Sequence, residues 1–205
     1  MKLSKKMILA ILALFVLAGA GIGIYFLVRS SDDGEYLDKG AVATSTEECT
    51  KAAVDIMKKG GSAVDSAITA VLCQGLTVPQ SSGLGGGVIA TVYIKKTGTI
   101  ETINAREVAP LAGTKDMFDD DLSSRQGGLA VAVPTELKGL EELHKKYGKL
   151  SWKEVVQPVI EIAENGFKVN HYLEAVILGY EDMIRNTSGF RWVNIFKSFL
   201  IILEF

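Results

Sequence analysis

From Met7 to Val28 the chain carries 22 consecutive uncharged residues, most of them apolar. As an α-helix such a run is about 33 Å long, enough to cross the hydrocarbon core of a bilayer. Lys2, Lys5 and Lys6 precede it. Arg29 follows, but Asp32, Asp33 and Glu35 come directly after. Orientation is set mainly by Lys and Arg, so the N-terminus is expected in the cytoplasm. The rest of the chain then lies outside the cytosol, as in a single-pass type II protein of the plasma membrane. A competing reading is a cleaved signal peptide, with Ala18-Gly19-Ala20 as its small-residue site. Against it, the apolar residues continue from Gly21 to Val28, too far for a signal peptide. Both readings place the folded part outside the cytosol.

The chain divides accordingly. Residues 1–6 are a cytoplasmic tail, 7–28 the transmembrane anchor and 29–36 a polar, acidic stalk. Residues 37–185 form the ectodomain, and 186–205 a divergent tail. Thr44-Ser45-Thr46 followed by Glu47 and Glu48 predicts a helix start with hydroxyl caps and acids in the first turn. Gly60-Gly61 ends that helix. Ser62 opens another, with Asp65 in capping-box position, running to about Leu76. Residues 79–87 are a glycine-rich loop. Val88 to Lys95 and Thr99 to Asn104 read as two strands joined by Lys96-Thr97-Gly98. Leu129 to Val133 reads as a third, short strand. Thr135 is expected to cap a helix with Leu137, Leu140, Leu143 and His144 on one face. Ser151 and Glu154 form a second capping box, on a helix that Asn165-Gly166 stops. A last helix is predicted from Asn170 to about Arg185. The fold class is mixed α/β.

Several functions are excluded early. The net charge is −2, so no basic field points to nucleic acid. The chain has two histidines and two cysteines, and none has metal-ligand spacing, so no metal is expected. Gly85-Gly86-Gly87-Val88-Ile89-Ala90 fits the spacing of a dinucleotide fingerprint. That fingerprint needs a strand before it and a helix after it, and the order here is reversed.

Cys49 lies 11 residues before Gly60, and Cys73 lies 12 residues after Gly61. In an antiparallel hairpin both stand about 17 Å from the turn, within reach of one another. An oxidising compartment favours a disulfide. The alternative is two buried free thiols, since cysteine is often simply part of a core.

Four motifs occur in order. They are Gly60-Gly61-Ser62-Ala63-Val64-Asp65, then Ser81-Ser82-Gly83-Leu84-Gly85-Gly86-Gly87, then Ile103-Asn104-Ala105-Arg106-Glu107-Val108-Ala109-Pro110, then residues 127–134 ending in Pro134. In this order, behind a type II anchor, they resemble the large subunit of γ-glutamyltransferases (glutathione hydrolases) from about Leu37 to Arg185. The resemblance implies part of an Ntn-hydrolase αββα fold. It also implies a self-cleaving precursor whose small subunit begins with the nucleophilic threonine. The substrates implied are glutathione and other γ-glutamyl compounds, and no cofactor is implied. The family's α-carboxylate-binding arginine falls on Arg106, whose planar guanidinium can pair bidentately with a carboxylate. Taken without the family, Arg106 reads as a solvated surface arginine beside Glu107. Glu107 is expected to orient Arg106.

No threonine here matches the family's nucleophile motif, and the tail past Asn186 departs from the family pattern. The chain alone is therefore expected to be inactive, a portion of a longer enzyme. The alternative is a non-catalytic membrane-anchored ectodomain that binds partners. Asn186-Thr187-Ser188 is a glycosylation sequon.

Overall fold

The computed structural model describes residues 40–187. The proposed anchor at 7–28, the stalk and nearly all of the divergent tail lie outside the described residues. Among the described residues no helix is long and apolar enough to cross a membrane.

Helix α1 (Glu47–Lys58) buries Cys49, Ala52, Ala53 and Ile56, one stripe at helical spacing. The chain reverses at Gly60-Gly61 and enters α2 (Ala63–Thr77). The predicted capping box is present: Asp65 N–H donates to Ser62 Oγ at 3.0 Å, and Ser62 N–H donates to Asp65 Oδ2 at 2.8 Å. Both faces of α2 are covered, with Val64, Ile68, Thr69 and Cys73 all buried. Its small polar side chains bond to neighbouring backbones. Ser66 Oγ donates to Ala53 O at 2.8 Å, and Thr69 Oγ1 to Val155 O at 2.7 Å. Such bonds let a helix with several hydroxyls serve as the centre of a core, because the hydroxyls of Ser66, Thr69 and Thr77 are each satisfied.

Strands β1 (Val88–Ile94) and β2 (Thr99–Ala105) pair antiparallel, with Val88 opposite Ala105 and Ile94 opposite Thr99. Their side chains alternate between two faces. Val88, Ala90, Val92 and Ile103 pack on the helical core, whereas Ile89, Tyr93 and Ile100 are exposed. The inner face rests on α3 (Glu136–Tyr147). Helix α4 (Trp152–Asn165) opens with the second predicted capping box. Val64, Ile68, Leu140, Leu143 and Val155 make the buried centre. The mixed α/β class is as predicted.

Four local expectations are corrected. Thr46 stands at the start of α1 but its hydroxyl does not cap it. It is buried 3.3 Å from Thr77 Oγ1, so it serves the α1–α2 contact instead. Thr135 likewise makes no side-chain cap; it donates to Ala105 O at 2.6 Å, tying α3 to the end of β2. Leu129 to Val133 is not a strand. Gly128–Ala130 is a short 3-10 turn, and only Val133 bridges, opposite Val108. The last predicted helix is two, α5 (His171–Gly179) and α6 (Glu181–Asn186). Tyr180 leaves helical geometry between them, at φ −119° and ψ 16°, just after Gly179, a poor helix former.

Candidate functional site

The site is built where β2, the glycine loop and the start of α3 meet. Beyond Ala105 the chain leaves β2 as Arg106-Glu107-Val108. Arg106 N–H donates to Asn104 Oδ1 at 3.0 Å, which fixes the backbone at the strand end. Two residues on, Val133 N–H donates to Val108 O at 2.9 Å. Helix α3 ties the other side: the N–H groups of Thr135 and Glu136 both donate to Gly86 O, at 2.9 and 3.1 Å. The end of β2 and the glycine loop are therefore held to one helix N-terminus.

Between them lies a cleft of about 410 Å³, lined by Gly75, Pro79, Ser81–Gly87, Arg106, Glu107 and Glu136. The glycines are there for close approach. A Cβ on Gly87 would lie against Glu107 Oε2 and within 2.6 Å of Glu107 N. No larger residue fits without moving the backbone that carries Arg106.

Arg106 and Glu107 form the pair expected of them, with Nη1 3.2 Å from Oε1. The Arg106 side chain is 68% exposed and that of Glu107 is 23% exposed. One amino group is thus engaged, and the rest of the guanidinium is open to a ligand. A guanidinium at the rim of a cleft, steadied by one carboxylate, can take a second carboxylate bidentately. Glu136 escaped sequence reasoning. It reads as an acid in the first turn of a helix, yet it is 2% exposed and reaches into the cleft. Nothing in the sequence marks that burial, which comes from the loop folding over the helix start. Among the described residues no histidine, lysine or cysteine lines the cleft. Both cysteines are joined to each other, buried, with Cα atoms 5.4 Å apart. Among the described residues no group of three or more His, Cys, Asp or Glu is placed to hold a metal. Asn186 is exposed at the end of α6, and Ser188 of its sequon lies outside the described residues.

Comparison with known proteins adds the family. Residues 49–200 match the family model for gamma-glutamyltranspeptidase. The chain is 42% identical over 151 residues to scoloptoxin SSD14 of Scolopendra dehaani, covering 73% of this chain and 26% of that protein. It is 40% identical over 157 residues to glutathione hydrolase 3 of Arabidopsis thaliana, covering 76% of this chain and 25% of that protein. Its fold superposes on gamma-glutamyltranspeptidase from Pseudomonas nitroreducens complexed with L-DON, with a TM-score of 0.69 and 34% identity, over 76% of this chain and 48% of that one. The chain thus spans about a quarter of the length of these curated relatives.

Proposed function

Because this chain belongs to the γ-glutamyltranspeptidase family, we propose that it is the substrate-reading portion of an enzyme that cleaves the γ-glutamyl amide of glutathione. The glutamyl group passes to water or to an acceptor amino acid or peptide. The observation that carries this reading is the placement of Arg106 at the rim of the glycine-lined cleft, where Glu107 pairs with one of its amino groups. Arg106 holds the α-carboxylate of the γ-glutamyl group, and the cleft places the amide for attack. A scaffold that fixes substrate orientation removes much of the entropic barrier to such a reaction.

The nucleophile is supplied by a small-subunit segment of the same precursor. In support, the Ser81 hydroxyl is bonded to Tyr172 Oη at 3.1 Å, and among the described residues no histidine or lysine lines the cleft to activate Ser81 or Ser82. The 205-residue chain alone then binds without turnover. The anchor at 7–28 places the ectodomain outside the cell at the plasma membrane, and Asn186 carries glycan. The test is direct. The chain produced with the small-subunit segment should release product from a γ-glutamyl anilide, and the chain alone should not. Release by the chain alone, or by neither preparation, would refute the proposal.

A further inference from the structure

Recognition of a carboxylate by Arg106 leaves one feature of the cleft unexplained. Glu136 is almost fully buried at the first position of α3, a place where a glutamate usually meets solvent. Its own N–H donates to Gly86 O at 3.1 Å, and the Gly83 N–H faces its carboxyl. One residue therefore meets the glycine loop at both ends of the Gly83–Gly86 turn, bonded at Gly86. Its Oε1 is buried with no hydrogen-bond partner. Glu107, in the same cleft, also has a buried and unpartnered oxygen, Oε2.

Two carboxylates, each with a buried orphaned oxygen, in one cleft cannot both stay charged cheaply. Burial disfavours the ionised form, and a like charge nearby disfavours it further. Glu107 has Arg106 as its ion-pair partner, with Oε1 3.2 Å from Nη1. Among the described residues Glu136 has no such partner. Burial pushes its carboxyl above the usual glutamate range and the Glu107 charge adds to this, against the pull of the Gly83 N–H. Arg106, Glu107 and Glu136 are the charged or titratable residues lining the cleft. With Glu136 neutral, the Arg106 and Glu107 charges cancel. With Glu136 ionised, the cleft is net negative and repels an incoming carboxylate.

We propose that Glu136 is a positioning residue of the substrate cleft: as a neutral carboxyl it clamps the Gly83–Gly86 turn to α3 and leaves Arg106 without a second negative charge beside it. The inference rests on the reading of Arg106 given above, and its test separates the two.

The first measurement needs no activity. Carbon-13 glutamate spectra of the 205-residue chain in detergent, wild type against Glu136→Gln, should assign one carboxyl that titrates above the ordinary glutamate range. The Gly83 amide should exchange slowly in wild type and in Glu136→Gln, and fast in Glu136→Ala. The second measurement is kinetic, on the chain assembled with its small-subunit segment. Glu136→Ala should raise KM for a γ-glutamyl donor by about tenfold, the loss expected for one good hydrogen bond, with a smaller change in kcat. Glu136→Gln, which keeps a neutral group of the same shape, should raise KM much less than Glu136→Ala does. It should then escape the rise in KM that wild type shows once Glu136 ionises. A Glu136 carboxyl titrating at the ordinary glutamate value overturns the proposal, as does a Gln variant as impaired as Ala. An assembled wild type without γ-glutamyl turnover would sink the function proposed above, while the spectra and exchange rates still decide the role of Glu136.

Discussion

The carboxylate of Asp65 accepts a hydrogen bond from the backbone N–H of Lys149, 84 residues further along, at 2.9 Å. The same oxygen takes Ser62 N–H at 2.8 Å and Leu150 N–H at 3.3 Å. One fully buried side chain thus joins the start of α2 to the turn between α3 and α4. His144 completes the junction, with Nε2 2.8 Å from Leu150 O and 3.8 Å from Asp65 Oδ1.

Asp65→Ala should destabilise the ectodomain by about 3 kcal/mol or more, because three backbone donors lose their acceptor at about 1–3 kcal/mol each. The pH dependence has a defined sign. Burial works to raise the Asp65 pKa, but the N–H donors of Ser62, Lys149 and Leu150 and the Ser62 hydroxyl outweigh it and hold the carboxyl below its ordinary value. The unfolded chain therefore takes up the proton first as the pH falls. The contribution of Asp65 is complete above about pH 4 and is lost as pH drops through the folded-state value. Denaturant melts at about pH 6 and about pH 2.5 should show Asp65→Asn losing less stability between the two than wild type does.

The Cys49–Cys73 bond closes a loop with a sequence separation of 24. Its removal by a double Cys→Ala change should cost about 3 kcal/mol by loop-closure entropy. The effect should reach the cleft as well, since Thr77, at the end of α2, lies 3.3 Å from Cys49 Sγ and leads into the glycine loop. Non-reducing peptide maps and thermal melts with and without reductant check both points; unchanged melts would contradict the stabilising role.

Gly87→Ala places a methyl group against Glu107 and the end of β2. Overpacking of this kind costs about 1–3 kcal/mol. Gly98→Ala serves as the comparison, because a Cβ there meets nothing within 4 Å, although φ +68° makes it somewhat strained. Gly87→Ala should impair γ-glutamyl donor binding by the assembled enzyme, and Gly98→Ala should leave it intact. Equal donor KM values for the two variants would show that the close approach at Gly87 does not matter to the cleft.

Much of this was legible in the sequence where a local rule and the tertiary structure ask for the same thing. Ser62 with Asp65 and Ser151 with Glu154 cap as predicted, because each pair bonds within its own first turn. The cysteine pairing followed from equal distances to the Gly60-Gly61 reversal. Thr46 and Thr135 were misread for one shared reason. Each stands at a helix start, but a distant partner, Thr77 in one case and Ala105 O in the other, competes for its hydroxyl. Val131 and Val133 look like a strand by composition, and too few partners lie beside them for more than one bridge. Arg106 was found through motif order. Glu136 could not be, since its significance lies in being covered by a loop 50 residues earlier.

If residues 7–28 anchor the chain with its N-terminus inside, a C-terminal tag should resist protease in intact microsomes and yield only after detergent. Asn186 should then carry glycan, seen as a mobility shift lost on glycosidase treatment or in Asn186→Gln. A tag digested without detergent would refute this topology.

The most direct test of the account is a comparison of two substrates on two proteins. Arg106→Lys keeps the charge and loses the bidentate fork. In the assembled enzyme it should lower kcat/KM for a γ-glutamyl anilide about 10- to 150-fold, the value of a charge-assisted bond of roughly 1.5–3 kcal/mol. On an analogue lacking the α-carboxylate, wild type should already be poor and Arg106→Lys should be equally poor. Self-cleavage of the precursor should be spared, since no free α-carboxylate takes part in it. If Arg106→Lys loses the same factor on both substrates, Arg106 supports the fold and does not read the substrate carboxylate.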